Sequence, residues 1–253
     1  MADFINTIEV LGDDAVVDSI IDGTITEFKD DSVTVVGRAA FSNCTALETV
    51  WLPNATKLVD NAFERCAALA DVNTPNVVEL CGNALSETGL READFPNCTD
   101  MGAHVFYGCS SLARANFPLL ESVGYQAFGQ CAALSEFYAP ILTSIMYEAF
   151  GVCGKLERID LPMLTSIASR GFRLSALSTL ILRNTSSVVT LENVDGVART
   201  PIADGTGYIY VPKALVDSYK SASNWSTYAT KFRALEDYTV DGTITGALDE
   251  TKI

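Results

Sequence analysis

Apolar residues recur along this chain at a fixed long interval, and the interval is the main information it carries. The stretch Val33–Ala55 reads VTVVGRAAFSNCTALETVWLPNA. Its frame is Ala40-Phe41, then Cys44, then Leu47-x-x-Val50-x-Leu52-Pro53. Phe41, Phe63, Leu85, Phe106, Phe128, Phe150 and Phe172 follow one another at steps of 22, 22, 21, 22, 22 and 22 residues. Pro53, Pro75, Pro96, Pro118, Pro140 and Pro162 keep the same beat, as do the leucines Leu47, Leu69, Leu90, Leu112, Leu134, Leu156 and Leu177. A period this regular predicts a repeat array in which each coil stacks on the last.

Each unit predicts one short strand. In L-x-x-V-x-L the apolar positions point inward and the residues between them face out. A proline ends each strand because it has no N–H for the ladder. The aromatic at the Phe41 position should fill the opposite wall, so that the stacked rings form an internal spine. Cys44, Cys66, Cys109, Cys131 and Cys153 share one place, three residues after the aromatic. The favoured reading is a small buried hydrophobe and not a metal or redox site. Cys81 and Cys98 stand where other copies have Val59 and Ala55, and read as core filler too.

The pattern divides the chain into residues 1–32, an N-terminal cap with a degenerate first copy (Ile25-x-x-Phe28); 33–184, the repeats; 185–238, a closing repeat with a helical cap; and 239–253, a polar tail. Asp14–Ile21 is expected to be a short helix across the front opening. Thr185–Gly207 reads as an irregular excursion before Tyr208–Val211 restores a strand. Two amphipathic segments follow, Lys213–Ser221 and Asn224–Leu235. In the second, Trp225, Tyr228, Phe232 and Leu235 fall at helical spacing, and Ser223 or Asn224 is the expected N-cap. Covering the last coil is favoured for this stripe over a binding box.

The pattern AF-x-x-C-x-x-L-x-x-V-x-L-P, from about Ile25 to Leu182, resembles the BspA-type leucine-rich repeat. The run GYIYVPKALVDSYKSASNWSTYATKFRALEDY resembles the closing element of such arrays in gut bacterial and phage proteins. The resemblance implies an α+β repeat solenoid: a right-handed leucine-rich-repeat coil of about 22 residues per repeat, with parallel strands on one face and a helical C-terminal cap. It also implies a surface or secreted adhesion or binding protein, or a phage component.

Of the 253 residues 48% are hydrophobic and 19% charged, which excludes a disordered chain. The net charge of −15 argues against nucleic acid or an anionic membrane as partner. No basic segment leads into an apolar run at the N-terminus, and no stretch approaches the ~18 apolar residues of a transmembrane helix. A Sec-type signal and membrane insertion are therefore not expected, and seven cysteines without a signal read as reduced thiols.

Catalytic chemistry is not expected, nor a metal or cofactor. The single histidine, His104, has Asn61, Asn83, Gln126, Glu148 and Arg170 as its equivalents and reads as an exposed polar position. A lone surface histidine is a poor base for a nucleophile. Acid pairs such as Asp13-Asp14 and Asp30-Asp31 read as solvated, with a low-affinity cation site at Asp30-Asp31 as the alternative.

Function is therefore sought on the outward strand face. One outward column runs Trp51, Asn73, Asp94, Asn116, Tyr138, Asp160, Ile181 and Tyr210; its neighbour runs Thr49, Asp71, Glu92, Arg114, Glu136, Arg158 and Thr179. Glu92, Arg114, Glu136 and Arg158 alternate in sign and read as a cross-strand ion ladder, or else as a charged binding track. Trp51, Tyr138 and Tyr210 are not required by the coil, and outward aromatics are common at interfaces. The expected partner is a protein or a cell-surface glycan, other virion proteins among them. The leading functional reading is a bacteriophage virion component, in the virion; the alternative is a bacterial surface adhesin or interaction module.

Overall fold

The computed structural model describes residues 8–11, 14–17, 24–240 and 243–244. It is a solenoid whose coils are hydrogen-bonded to their neighbours on three sides. The first side carries the expected parallel strands, in three blocks. Glu27–Lys29, Thr49–Trp51 and Asp71–Asn73 form one. Glu92–Asp94, Arg114–Asn116 and Glu136–Tyr138 form the second. Arg158–Leu161, Thr179–Leu182, Tyr208–Val211 and Phe232–Ala234 form the third.

A second column of two-residue parallel strands was not part of the sequence reading. Val35–Val36, Lys57–Leu58, Glu79–Leu80 and Asp100–Met101 pair in turn, as do Ser122–Val123, Ser144–Ile145, Ser166–Ile167 and Thr190–Leu191. The front of this column is also a strand. Asp14–Val17 pairs in parallel with Val35–Val36 and antiparallel with Ile8–Leu11. The helix expected over Asp14–Ile21 is therefore a strand at Asp14–Val17, as its paired valines favour; residues 18–21 lie outside the described residues.

The third side is a run of turns with ordinary residues in left-handed conformation, φ 49–63°. Ala39, Asn61, Asn83, His104, Gln126 and Glu148 form one such column, and Asn43, Arg65, Glu87, Gln130, Val152 and Leu174 another. A left-handed φ is costly for residues other than glycine. Here it turns each N–H along the solenoid axis onto a carbonyl of the next coil, as in His104 to Tyr125 at 2.8 Å and Gln130 to Gly151 at 2.8 Å.

The interior follows the repeat. Phe41 stacks on Phe63 at 4.8 Å, and Phe106, Phe128, Phe150 and Phe172 continue the spine at 5.2–5.5 Å. Leu85 interrupts it. The cysteines have a more specific role than filling space. The Sγ of Cys66, Cys109, Cys131 and Cys153 donates to the carbonyl at the aromatic position of the preceding coil, at 2.9, 3.1, 3.1 and 3.2 Å. Where the corner between the aromatic and the strand is one residue shorter, a buried hydroxyl replaces the thiol and turns back within its own coil. Thr88, Ser175 and Thr200 bond the carbonyls of Leu85, Phe172 and Val197 at 2.9, 2.8 and 2.7 Å. Gly89 permits the first of these corners, since a Cβ there would lie 2.5 Å from the Ala67 carbonyl oxygen.

Thr185–Gly207 is a further coil and not an irregular excursion. Thr190–Leu191 extends the second column, Phe172 N–H bonds Gly196, and Val197 and Ile202 take the aromatic and leucine places. Its step is stretched to 25 residues from Phe172 to Val197, so the 22-residue beat hides it. The cap also differs in form. Lys213–Leu215 and Val216–Ser221 are helical, but Trp225–Lys231 is a kinked 3₁₀ segment and Phe232–Ala234 a strand parallel to Tyr208–Val211. Asn224 holds the expected N-cap position but makes no side-chain cap bond; its amide donates to the Leu191 and Glu192 carbonyls at 2.8 and 3.0 Å. The aromatic stripe closes the last coil as expected. Trp225 is buried and donates its indole N–H to Val189 O at 2.6 Å. In the tail, Thr239–Val240 and Thr243–Ile244 pair antiparallel, and residues 245–253 lie outside the described residues.

Two outcomes follow for stability. Thr74 occupies the inward place held by Leu52 and Phe95, and its buried hydroxyl has no partner. Thr74→Val should stabilise the fold by about 1–2 kcal/mol in chemical denaturation, and an unchanged or lower midpoint would refute this. Burial pushes the Cys66 and Cys153 thiols up to about 12 and Cys109 to about 11. A thiol raised in the fold stabilises it only while protonated. That contribution is intact below about pH 9 and fades as pH climbs toward 12. At pH 8 the native thiols should resist a disulfide reagent, with the half-buried Cys81 reacting first.

Candidate functional site

Backbone register determines which outward residues are neighbours. Lys29, Trp51 and Asn73 form one row, Asp94, Asn116 and Tyr138 a second, and Asp160, Ile181, Tyr210 and Arg233 a third. Each row is confined to its own block. Trp51 is 40% exposed, Asn73 is exposed and Tyr138 half-buried. Asn116 donates to the Asp94 carboxylate at 2.7 Å, which fixes both side chains as one polar surface.

The alternating charges close only where the strands are laddered. Arg114 meets Glu92 at 2.5 Å, and this carboxylate holds the guanidinium above its ordinary pKa. Glu136 and Arg158 lie in different blocks. Arg158 turns instead to Asp160 at 3.6 Å and donates Nε to the Tyr238 hydroxyl at 3.0 Å.

The third row is occupied by the chain itself. Leu235 and Tyr238 fold over it and bury Ile181, and the Tyr238 ring stands edge-on to Tyr210 at 4.5 Å. Asp160 accepts both Nε and Nη2 of Arg183, at 2.9 and 2.8 Å. Thus Tyr210 and Arg158 serve the closing segment, Asp160 is held by Arg183 of the neighbouring coil, and Ile181 does not face solvent. The open part of the face runs from Trp51 to Tyr138. Alternation alone could not reveal this cover, which comes from residues some 30–80 positions later.

The turn side carries a second constellation. His104 is half-buried and does not stand alone: its Nε2 meets Gln126 Oε1 at 2.8 Å, and Gln126 donates to Glu148 at 2.5 Å. Arg170 joins Glu148 at 3.2 Å and Asp195 at 3.4 Å. The column is a hydrogen-bonded ladder across five coils, with Tyr125 stacked on Tyr147 beside it at 5.0 Å. The residues equivalent to His104 share one column, and the coil spacing brings their side chains into bonding distance. At the front, Asp30 Oδ1 accepts from Ser32 N and Oγ at 2.8 and 2.6 Å, the chemistry of a turn. No cluster of three metal-ligating side chains occurs among the described residues, and none of their helices is long and apolar enough to cross a membrane.

The family model of the BspA type leucine rich repeat region matches residues 21–135 and 121–193, in six copies. Among solved structures, a leucine-rich repeat protein from Bacteroides ovatus superposes with a TM-score of 0.64 at 21% identity, over 75% of this chain and 50% of that one. One from Eubacterium ventriosum gives 0.50 at 23% identity, over 70% and 43%. The chain spans half or less of the length of these structures, and the likeness is one of fold. No curated protein matches the chain.

Removing the cover over the third row should loosen the C-terminal end first. Tyr238→Ala exposes Ile181 and Tyr210 and should cost about 1–3 kcal/mol. Faster amide exchange is expected in Thr179–Leu182, Tyr208–Val211 and Phe232–Ala234, with Thr49–Trp51 unchanged. Uniform exchange along the array would contradict this reading.

Proposed function

Because the chain belongs to the BspA-type leucine-rich repeat family, we propose that it is a binding module that recognises a protein or a glycan. The contact surface in this reading is the open strand face, with Trp51, Asn73, Asp94, Asn116, Tyr138, Glu92 and Arg114 as its residues. The observation that carries it is Trp51, a large aromatic 40% exposed on a position where the coil accepts asparagine and aspartate equally well. A rigid aromatic flanked by polar groups suits the anchor of an interface. Tyr210 and Arg158 contribute indirectly, by holding Tyr238 over the end of the face.

The relatives with solved structures are bacterial, and on that footing we favour a bacterial cell-surface interaction module over a bacteriophage virion component. Binding, not catalysis, is the activity proposed.

The test is a double variant, Trp51→Ala with Tyr138→Ala, in a pull-down from bacterial and host surface extracts and on a glycan array. It should keep the wild-type melting temperature and lose the captured partner. Capture that survives in the folded variant moves the site off this face.

A further inference from the structure

The turn side contains a small cleft of about 100 Å³ bounded by Tyr107, Gln126, Gln130, Glu148 and Arg173. Its origin is legible in one column of the repeat. The residue after the aromatic is Ser42, Glu64, Ser86, Tyr107, Gly129, Gly151 and Arg173 in successive coils. Two adjacent coils thus lack a side chain where their neighbours carry large ones. Neither glycine has a positive φ; a Cβ at Gly129 would lie 3.0 Å from the Tyr107 ring, whereas at Gly151 its nearest neighbour is the Glu148 carbonyl oxygen at 3.3 Å. Gly129 and Gly151 form the floor, and Tyr107 and Arg173 flank it, their backbones three coil steps or roughly 15 Å apart and both side chains lining the one cleft.

The lining is rich in directional polar groups. Gln126 donates to Glu148, and Gln130 donates to the Tyr107 hydroxyl, so the walls are held in place by their own bonds. Glu148 is also met at 3.2 Å by Arg170, a guanidinium it shares with Asp195. Arg173 makes no ion pair among the described residues. The cleft therefore combines a guanidinium with no ion pair among the described residues, two amides, a phenol and a carboxylate already bonded to Gln126 and Arg170.

We propose that this cleft is a saccharide site, separate from the strand face, that takes a single acidic sugar residue. The sugar carboxylate would pair with Arg173, a bidentate contact suited to a guanidinium. Its hydroxyls would meet the Gln126 and Gln130 amides and Glu148, and its apolar edge would lie beside Tyr107. A neutral polyol leaves the guanidinium unpaired, and an apolar peptide leaves the amides unpaired.

Saturation-transfer NMR and calorimetry with glucuronic, galacturonic and N-acetylneuraminic acids test this, with glucose, galactose and a short acidic peptide as comparators. At least one acidic sugar should bind about tenfold more tightly than any neutral sugar, and Arg173→Gln should abolish that difference. Gly151→Tyr, a side chain this column already holds at Tyr107, should fold normally and block binding. The Trp51→Ala, Tyr138→Ala variant should bind as the wild type does, which separates this site from the one on the strand face. The proposal is overturned if no acidic sugar binds, if the peptide binds in preference, or if a folded Gly151→Tyr variant binds unchanged.

Discussion

Every part of this molecule depends on the backbone bonds that pass from one coil to the next. A single 22-residue coil cannot bury its own apolar edge or satisfy its own N–H groups. On two sides the remedy is a short parallel ladder. On the third it is a pair of left-handed turn residues per coil, whose N–H groups point along the axis. Alone, each of those φ values is unfavourable for an ordinary side chain. Within the stack each converts a strained residue into a donor for its neighbour, and the conformation is kept by the bond it permits. The thiol ladder applies the same logic to side chains, each Cys Sγ satisfying a carbonyl one coil back.

This dependence explains which features were legible in the sequence. Phe41, Cys44, Leu47, Val50, Leu52 and Pro53 are fixed by stacking, so their equivalents recur and disclose the coil. The short corners at Thr88, Ser175 and Thr200 are legible in retrospect, as a hydroxyl three residues after the aromatic place. The coil within 185–207 was hidden because an insertion stretched its period while leaving its bonds intact. The front helix was misread because the local pattern in DAVVDSII fits either periodicity. Pairing with Val35–Val36 decides for the strand.

The candidate site was only half legible. Alternation identified the outward residues and placed Trp51 and Tyr138 among them. It could not show that Leu235 and Tyr238 return over Tyr210 and Ile181, since that contact joins residues far apart in the chain. Nor could it show that Glu136 and Arg158 belong to different blocks, although their spacing is the regular 22. The turn side was underestimated for a different reason. Its positions look like solvated variation one copy at a time, and only stacking turns His104, Gln126, Glu148 and Arg170 into one bonded line.

The closed C-terminal end has an evolutionary consequence. Trp225, Tyr228 and Phe232 seal the last coil, and Tyr238 laps over the outer row. Gene duplication can lengthen this array without disturbing that seal by splicing a whole coil between two existing ones. Such an event keeps the turn-side bonds, because nearly every coil presents the same left-handed N–H donors and carbonyl acceptors to its neighbours. It would move Trp51 and Tyr138 apart by one step without disturbing the terminus. The spacing of the recognition surface is thus adjustable in fixed increments, at little risk to folding.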